Sequence, residues 1–397
     1  MGLSLARNLK LYPWYLSLTW EGLSNAVWYL YLFSFKGLSL GEMAWLVLLG
    51  DGVTVISEVP TGWVADRIGR RRSILLGIIL QALSAVLFIF GNDFWTFWLA
   101  MAVCGLGDTF RSGADEALLY DSCRGLGRVP DYRRLLSRSM AIATVAMVAG
   151  QILGGMMATR LSWTLPFWCE LVVSTAGFLV VLSMLEAPYS GESDDDSPGI
   201  AHPALLTSLA RLIPLFIFAA SIELAPELSH FHFPAELEQA IGLTPEQLGI
   251  MYAGFELLQG LGNWLAGHVN FRRPLLVLAG SSIAMLAGLL LLGTRAWAGL
   301  AVFIVGRALI DLMTGLAAPL ISEEANRLTG SANRATVLSI LNAASRLLPL
   351  SVLPLSASLI AASGPTKMYA VFAGAMLLPI VISVLWMFSL ERRQAQA

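Results

Sequence analysis

Long apolar stretches recur along the whole chain, each separated from the next by a short polar segment. An α-helix needs about 20 mostly apolar residues to cross a bilayer, where only helices and closed β-barrels satisfy their own backbone groups. The stretches lack the alternating pattern of barrel strands, so they predict membrane helices. We assign twelve spans: residues 11–35, 41–65, 73–91, 94–121, 137–158, 163–185, 208–229, 246–267, 273–293, 297–325, 336–362 and 367–390.

Composition narrows the class of protein further. Of the 397 residues, 56% are hydrophobic and only 13% are charged, whereas a soluble domain carries about 25% charged residues. We therefore expect an integral membrane protein whose partners are the lipid bilayer and a small molecule, with no nucleic acid. The three cysteines lie far apart in the sequence, which favours packing roles over disulfides or metal binding. No metal or organic cofactor is expected.

Basic residues collect in alternate loops and thereby set the orientation. If both termini are cytoplasmic, the outer loops hold only Lys36, Arg160, Arg295 and Lys367. Basic residues are enriched in cytoplasmic loops of membrane proteins, so this arrangement is the expected one. The first span is too long for the apolar core of a cleavable signal peptide, so we expect it to stay in the protein as the first membrane helix. The cytoplasmic side then receives Arg7, Lys10, Arg67, Arg70, Arg71, Arg72, Arg124, Arg128, Arg133, Arg134, Arg138, Arg211, Arg272, Arg273, Arg327, Arg334, Arg392 and Arg393.

An acidic, turn-rich segment divides the spans into two sets of six. It predicts a cytoplasmic linker at residues 188–207 between bundles at 1–187 and 208–397. The two halves echo each other: Ser39 with Glu42 and Thr244 with Gln247 form matching helix-capping boxes before the second and eighth spans. Asp51 and Glu256 follow at the same offset. This echo favours two six-helix repeats, as in one class of transporter.

A basic turn joins the second and third spans with the sequence Gly62-Trp63-Val64-Ala65-Asp66-Arg67-Ile68-Gly69-Arg70-Arg71. An ordinary cytoplasmic hairpin explains its arginines but not the spacing of its glycines and aspartate. The pattern G-x-x-x-D-R-x-G-R-R resembles the signature loop of the major facilitator superfamily. The resemblance implies a twelve-helix fold with a central cavity that opens alternately to each side. The residues assigned to this loop and its gating partners are Gly62, Asp66, Arg67, Gly69, Arg70, Arg71 and Asp121.

In the family resemblance, Asp66 helps to hold the two halves together when the cavity opens outward. Arg70 can pair with Asp121 at the end of the fourth span. The alternative is that these residues only set the topology. Arg111 is similar to the arginine of the family's fourth helix, which the resemblance implies assists proton transfer.

Ionisable residues lie deep in apolar spans, where each costs at least about 2.5–3.5 kcal/mol at a helix centre. Each therefore implies a cavity, a partner or a function. Those near the predicted midplane are Glu21, Asp108, Glu223, Asp311 and Arg346. Those within a turn or two of it are Asp51, Arg111, Glu256 and Arg307, and those nearer the cytoplasm are Glu58, Asp115 and Glu116.

Two interpretations of this set stay open. Arg111 shares a helix face with Asp108 and Asp115, and Arg307 shares one with Asp311, so these groups could simply neutralise each other and pack helices. The set as a whole has nine carboxylates against three arginines. Burial disfavours the charged form of a carboxylate, so the excess carboxylates could take up and release protons. The same excess would suit a cationic substrate.

The predicted function is secondary active transport by alternating access in a bacterial inner membrane, by a monomer coupled to protons. We favour export of a small amphipathic or cationic molecule by antiport. Proton-coupled uptake by symport is the alternative, and a non-transporting receptor or scaffold on a transporter fold is another.

Other patterns have plainer explanations than a catalytic or metal site. The sequence lacks a nucleophile, base and oxyanion set for an intramembrane enzyme, and Ser39 in Gly37-Leu38-Ser39-Leu40-Gly41 is explained as a helix cap. The stretch from Gly150 to Gly155 resembles the end of an antiporter motif without its proline, although small-residue helix packing explains it more simply. His230 and His232 are expected at the surface because two ligands make no metal site.

Overall fold

The protein is almost entirely helical. The structure, a computed structural model, describes residues 2–20, 22–112, 114–187, 203–268, 273–294, 300–328 and 334–396. Eight helices in these ranges are long and apolar enough to cross a membrane. The longer helices are α1 (Gly2–Thr19), α2 (Leu40–Ile68), α3 (Arg70–Phe90), α4 (Phe94–Arg111), α5 (Ala114–Gly125), α6 (Tyr132–Arg160), α7 (Leu165–Ser183), α8 (Pro203–Ile241), α9 (Pro245–His268), α10 (Pro274–Gly293), α11 (Leu300–Leu328), α12 (Arg334–Ser363) and α13 (Pro365–Gln396).

Ten of the twelve predicted spans each coincide with a single helix. Both predicted capping boxes are present. The Ser39 hydroxyl accepts from the Glu42 N–H at 3.3 Å, and the Glu42 carboxylate accepts from the Ser39 N–H at 2.8 Å. Thr244 and Gln247 repeat this exchange at 3.3 and 3.0 Å. The capping residues alone therefore predicted the starts of α2 and α9 to within one residue of their observed positions.

The first predicted span is not one helix. Helix α1 ends at Thr19, and helical structure resumes at Trp28–Leu30 and continues as a π-helical turn at Tyr31–Phe35. Tertiary contacts hold the break open: a Cβ on Gly154 of α6 would overlap the carbonyl oxygen of Leu23. Interrupted helices are tolerated at membrane depth where their freed backbone groups lie against protein.

We expect Gly154→Ala to destabilise the protein, because its methyl group would meet the backbone of Leu23 rather than a flexible side chain. Forcing an extra carbon into a packed interface costs about 1–3 kcal/mol. Gly280→Ala is the matched control, since a Cβ at that exposed position of α10 meets nothing within 4 Å. Thermal unfolding in detergent should show a lowered midpoint for the first variant and an equal or raised midpoint for the second. Equal midpoints would contradict the close packing at this break.

The fourth predicted span also divides in two. Helix α4 ends at Arg111, where Ser112 adopts an extended ψ of 129°, and α5 begins at Ala114. Asp115 and Glu116 lie in the first turn of α5. Negative side chains are favoured there because free N–H groups give a helix N-terminus a partial positive charge. These acidic residues therefore belong to the start of a new helix rather than to one continuous span.

The chain forms two compact units. The first comprises the described residues within Met1–Gly191 and Pro234–Ala253, and the second those within Glu192–Phe233 and Gly254–Ala397. The segment 234–253 covers the end of α8 and the start of α9. The linker predicted at 188–207 lies largely outside the described residues, so its boundaries stay a prediction.

Matching glycine pairs bring two helices together in each unit. In the first unit, a Cβ on Gly107 of α4 would lie 2.8 Å from the Gly77 carbonyl oxygen of α3. In the second, a Cβ on Gly306 of α11 would lie 2.7 Å from the Gly288 carbonyl oxygen of α10. Gly107 directly precedes Asp108, and Gly306 directly precedes Arg307. Corresponding backbone contacts thus position charged residues in the two halves.

Candidate functional site

A polar cluster lies among α1, α3, α4 and α5 in the first unit. We call it the Arg111 cluster. Its centre is the Arg111 guanidinium, whose side chain is only 11% exposed. Arginine presents five N–H donors in a rigid planar arrangement, so one side chain can bind several helices at once. The members of the cluster are Tyr15, Thr19, Gln81, Asp108, Arg111 and Asp115.

Neutral side chains take up most of the Arg111 donors. Its Nη1 donates to the Gln81 Oε1, its Nη2 donates to the Thr19 hydroxyl at 3.1 Å, and its Nε lies 3.4 Å from the Tyr15 hydroxyl. Sequence spacing had suggested Asp108 and Asp115 as its direct partners. The Asp108 carboxylate is 3.8 Å away, and Asp115 instead accepts from the Tyr15 hydroxyl at 3.3 Å. The cation is thus linked to both carboxylates mainly through neutral side chains.

Asp108 is the accessible end of this cluster. Its side chain is 53% exposed, while one oxygen accepts from the Gln81 Nε2 at 2.6 Å. Asp108 lies in the last turn of α4, within the predicted fourth span. A charged group within a membrane span is expected to face protein or a water-filled cavity rather than lipid. An accessible carboxylate with a buried cation behind it can bind a cation or exchange a proton.

A second cluster lies in the second unit and comprises Ser229, His230, Phe255, Arg307 and Asp311. Here the arginine and its carboxylate form a bidentate pair, at 2.6 Å from Nε and 2.9 Å from Nη2. Both side chains are about as buried as a core residue, at 5% and 6% exposure. Ser229 accepts a further bond from Nη1 at 3.0 Å. Such a paired and desolvated arrangement suits helix packing better than exchange with solvent.

His232 is buried and His230 is half-buried, so the expectation that both lie at the surface is wrong. His232 is 0% exposed, and its Nε2 lies 2.8 Å from the Ser356 hydroxyl. The Nδ1 of His230 lies 3.4 Å from the Arg307 Nη2, which requires Nδ1 to be the acceptor. The reason is the length of α8, which continues to Ile241 rather than ending near residue 229.

Hydrogen bonds hold the signature loop against the C-terminal end of α7. The Arg71 side chain donates to the carbonyl oxygens of Val181 and Leu182, at 3.1 and 2.7 Å. Its backbone N–H lies 3.1 Å from the Glu186 carboxylate. Carbonyls in the last turn of a helix and N–H groups in the first turn lack partners within the helix. Arg71 and Glu186 therefore satisfy the end of α7 and the start of α3 together.

The backbone conformation favours glycine at position 69, and a side chain there would also displace Glu186. The φ of 100° at Gly69 lies in a region that other residues rarely adopt, and a Cβ there would lie 2.9 Å from a Glu186 oxygen. Gly62 differs, because a Cβ at that position of α2 meets nothing within 4 Å. Arg70 acts electrostatically on Asp121, together with Arg124. Asp66 lies in the last turn of α2, but its side chain is outside the described part of the chain.

The remaining predicted residues are spread over several helices. Asp51 on α2, Glu223 on α8 and Glu256 on α9 are half-buried, whereas Glu58 and Arg67 on α2 are exposed. Glu116 lies 3.5 Å from the hydroxyl of Tyr132. Glu21 and the side chain of Arg346 lie outside the described residues. The structure therefore gathers Asp108, Arg111 and Asp115 into one cluster, which Glu116 adjoins through a hydrogen bond from its backbone N–H to Asp115, and Arg307 and Asp311 into another.

Sequence reasoning missed four polar residues of the first unit. Tyr15, Thr19 and Gln81 complete the Arg111 cluster, and Glu170 is buried in α7. Glu170 could have been found, since it is the sole charged residue in the predicted span 163–185. The neutral residues carry no comparable signal, because polar uncharged side chains are common in membrane helices.

Comparisons with known proteins agree with this architecture. A family model described as Major Facilitator Superfamily matches residues 14–225 and again residues 216–397. A crystal structure of a mutant nucleoside transporter NupG superposes with a TM-score of 0.82 and 12% identity, over 96% of this chain and 99% of that one. At this identity the likeness shows a shared fold alone.

Two curated relatives match part of the chain. The drug efflux pump JefA of Mycobacterium tuberculosis is 30% identical over 138 residues, which cover 34% of this chain and 25% of JefA. The class D tetracycline resistance protein of Salmonella ordonez is 25% identical over 201 residues, which cover 48% of this chain and 50% of the relative. The chain thus spans a quarter to a half of the length of these relatives. Because the family model covers both halves of the sequence, the protein belongs to the major facilitator superfamily.

Proposed function

We propose that this protein is a secondary active transporter that exports a small amphipathic or cationic molecule in exchange for protons. It works as a monomer by alternating access in a bacterial inner membrane and performs no covalent chemistry. The observation that carries the proposal is the accessible Asp108 carboxylate, held against the Arg111 network in the last turn of α4, within the predicted fourth span. The names of the relatives, a drug efflux pump and a tetracycline resistance protein, favour export.

The exposed negative charge of the Arg111 cluster supports a cationic substrate. A carboxylate in surroundings of low dielectric attracts a cation more strongly than it would in water. In the Arg111 cluster the guanidinium is largely saturated by neutral acceptors, whereas the side chain of Asp108 is more than half exposed. The surface offered to a substrate by this cluster is therefore anionic.

Proton coupling is assigned to the carboxylates of the membrane helices. Glu21, Asp51, Glu223 and Glu256 rank first as proton sites, while Asp108 and Asp311 follow because each lies beside an arginine of its own helix. Asp311 is the weaker of these two, since its bidentate pairing is buried. Asp66 is proposed to help close the cytoplasmic side, and Arg70 is proposed to pair with Asp121.

The test is flux of labelled ethidium into proteoliposomes with the membrane potential clamped at zero. An acid interior should drive uptake if protons leave in exchange, whereas an alkaline interior should drive it if the alternative, symport, holds. No flux above protein-free vesicles would favour the receptor or scaffold alternative. Asp51→Asn, Glu223→Gln and Glu256→Gln should include a variant that loses gradient-driven flux while folding normally. Glu42→Gln, at an exposed helix cap, is the matched control.

Substrate charge is tested in the same vesicles with two competitors of the same shape. Tetraphenylphosphonium, a cation, should inhibit ethidium flux more strongly than tetraphenylborate, an anion. Stronger inhibition by the anion would reverse the assignment and make Arg111, Arg307 or Arg346 the substrate anchor.

A further inference from the structure

Glu170 is a buried carboxylate that the proposed mechanism does not use. It lies in α7, between Cys169 and Leu171, and is 6% exposed. Burial of an ionised carboxylate is costly unless hydrogen bonds or a cation compensate. The groups that surround Glu170 therefore indicate why it is present.

Backbone N–H groups compensate Glu170. One carboxylate oxygen accepts from the N–H of Leu23 at 3.0 Å and from that of Ser24 at 3.2 Å. Both N–H groups lie in the break after α1, where continuous helix would have paired them with carbonyls four residues earlier. Glu170 thus supplies acceptors that the interrupted helix lacks.

Charged groups around Glu170 are few. Helices α1, α3 and α6 pack against α7. The charged residues of α3 and α6 lie at the helix ends, and α1 carries Arg7 and Lys10 in its first half, with the titratable Tyr12 and Tyr15 beyond them. Arg111 of α4 acts on Glu170 electrostatically, but no basic side chain in the described ranges forms an ion pair with it. Glu21, beside the break, lies outside those ranges.

The break is also connected to the Arg111 cluster. Thr19, the last residue of α1, accepts from Arg111 through its hydroxyl, and a Cβ on Gly22 would lie 3.1 Å from the Met147 Cα of α6. Thr19 therefore contacts Arg111, and four and five residues later Leu23 and Ser24 contact Glu170. A rearrangement at Leu23 and Ser24 would be transmitted along the chain to Thr19, which binds Arg111.

We propose that Glu170 carries a proton of the transport cycle, and that its ionisation state decides whether the first membrane helix is broken at Leu23 and Ser24. Ionised acceptors form hydrogen bonds roughly twice as strong as neutral ones. When Glu170 gains a proton, it holds the two N–H groups less tightly, and they can turn to the carbonyls of Thr19 and Trp20. The change reaches the Arg111 cluster through Thr19. This inference rests on the proposed proton coupling and adds a residue to it.

The test measures protons released when tetraphenylphosphonium binds the purified full-length protein in weakly buffered detergent solution with a pH indicator. Wild type should release protons on binding. Glu170→Gln should bind the cation but release at least twofold fewer protons, because the amide has no proton to give up. Glu42→Gln is the control, since Glu42 also accepts a backbone N–H but is exposed, and it should match wild type.

The outcomes separate this inference from the proposed function. No proton release from wild type would overturn proton coupling itself. Equal release from wild type and Glu170→Gln would overturn the role of Glu170 and leave coupling intact. If Glu170→Gln does not fold, Glu170→Asp keeps a carboxyl group on a shorter side chain. The proton concentration at which this variant is half-maximal in proton release should then differ from that of wild type by a factor of at least about three. An unchanged midpoint would overturn the inference.

Discussion

Replacing Arg111 by lysine is expected to reduce transport by more than tenfold and to lower the stability of the protein markedly. The guanidinium binds Gln81, Thr19 and Tyr15 from three nitrogens that point in different directions. A lysine ammonium has one nitrogen on a flexible stem and cannot reproduce this geometry. Each buried acceptor left unsatisfied costs about 1–3 kcal/mol. The lysine variant keeps the charge, so the loss would report on geometry.

Arg128→Lys is the matched control for this substitution. Arg128 pairs with Asp131 at 2.7 Å, but both side chains are about half exposed. Exposed ion pairs contribute about 0–1 kcal/mol, so this variant should unfold and transport like wild type. Thermal unfolding in detergent and ethidium flux in proteoliposomes measure the two effects. If Arg111→Lys matched Arg128→Lys in both assays, the Arg111 cluster would have no role in positioning the carboxylates.

The helices themselves were predictable because their signals are local. Apolar length, basic loops and turn chemistry lie in consecutive residues, and the capping boxes at Ser39 and Thr244 show how well such signals locate helix starts. The breaks in the first and fourth spans were not predictable in this way. They depend on contacts distant in sequence, such as the approach of Gly154 to Leu23. Hydropathy does not record those contacts.

The candidate site was predictable in its charges but not in its connections. Spacing along one helix correctly paired Arg307 with Asp311, four residues away. For Arg111 it identified the ion pair with Asp108 at 3.8 Å but not the hydrogen bonds to α1 and α3. The buried His232 and the half-buried His230 were misplaced because nothing in the sequence marks how far α8 continues beyond residue 229. Charge is thus a property of single residues, whereas its neutralisation depends on which helices meet.

Within the signature loop, Gly69→Ala and Gly62→Ala are expected to have opposite effects on stability. A residue other than glycine at the φ of Gly69 costs about 1–3 kcal/mol, and its methyl group would press against the carboxylate of Glu186. Displacing Glu186 would also remove the acceptor of the Arg71 N–H. Gly62 lies in the interior of α2 and has open space around it. Alanine there should gain about 0.5–1 kcal/mol through helix propensity.

Thermal unfolding in detergent measures this contrast between two glycines of one motif. Gly69→Ala should lower the midpoint, and Arg71→Ala should lower it too, because the carbonyls of Val181 and Leu182 lose the hydrogen bonds from the Arg71 side chain at the end of α7. Gly62→Ala should leave the midpoint unchanged or raise it. If both glycine variants unfolded alike, the docking of the loop on α7 would not explain Gly69. A stable but inactive Gly62→Ala protein would instead place the role of Gly62 in the motion of the transporter, because its static packing gives no reason for glycine.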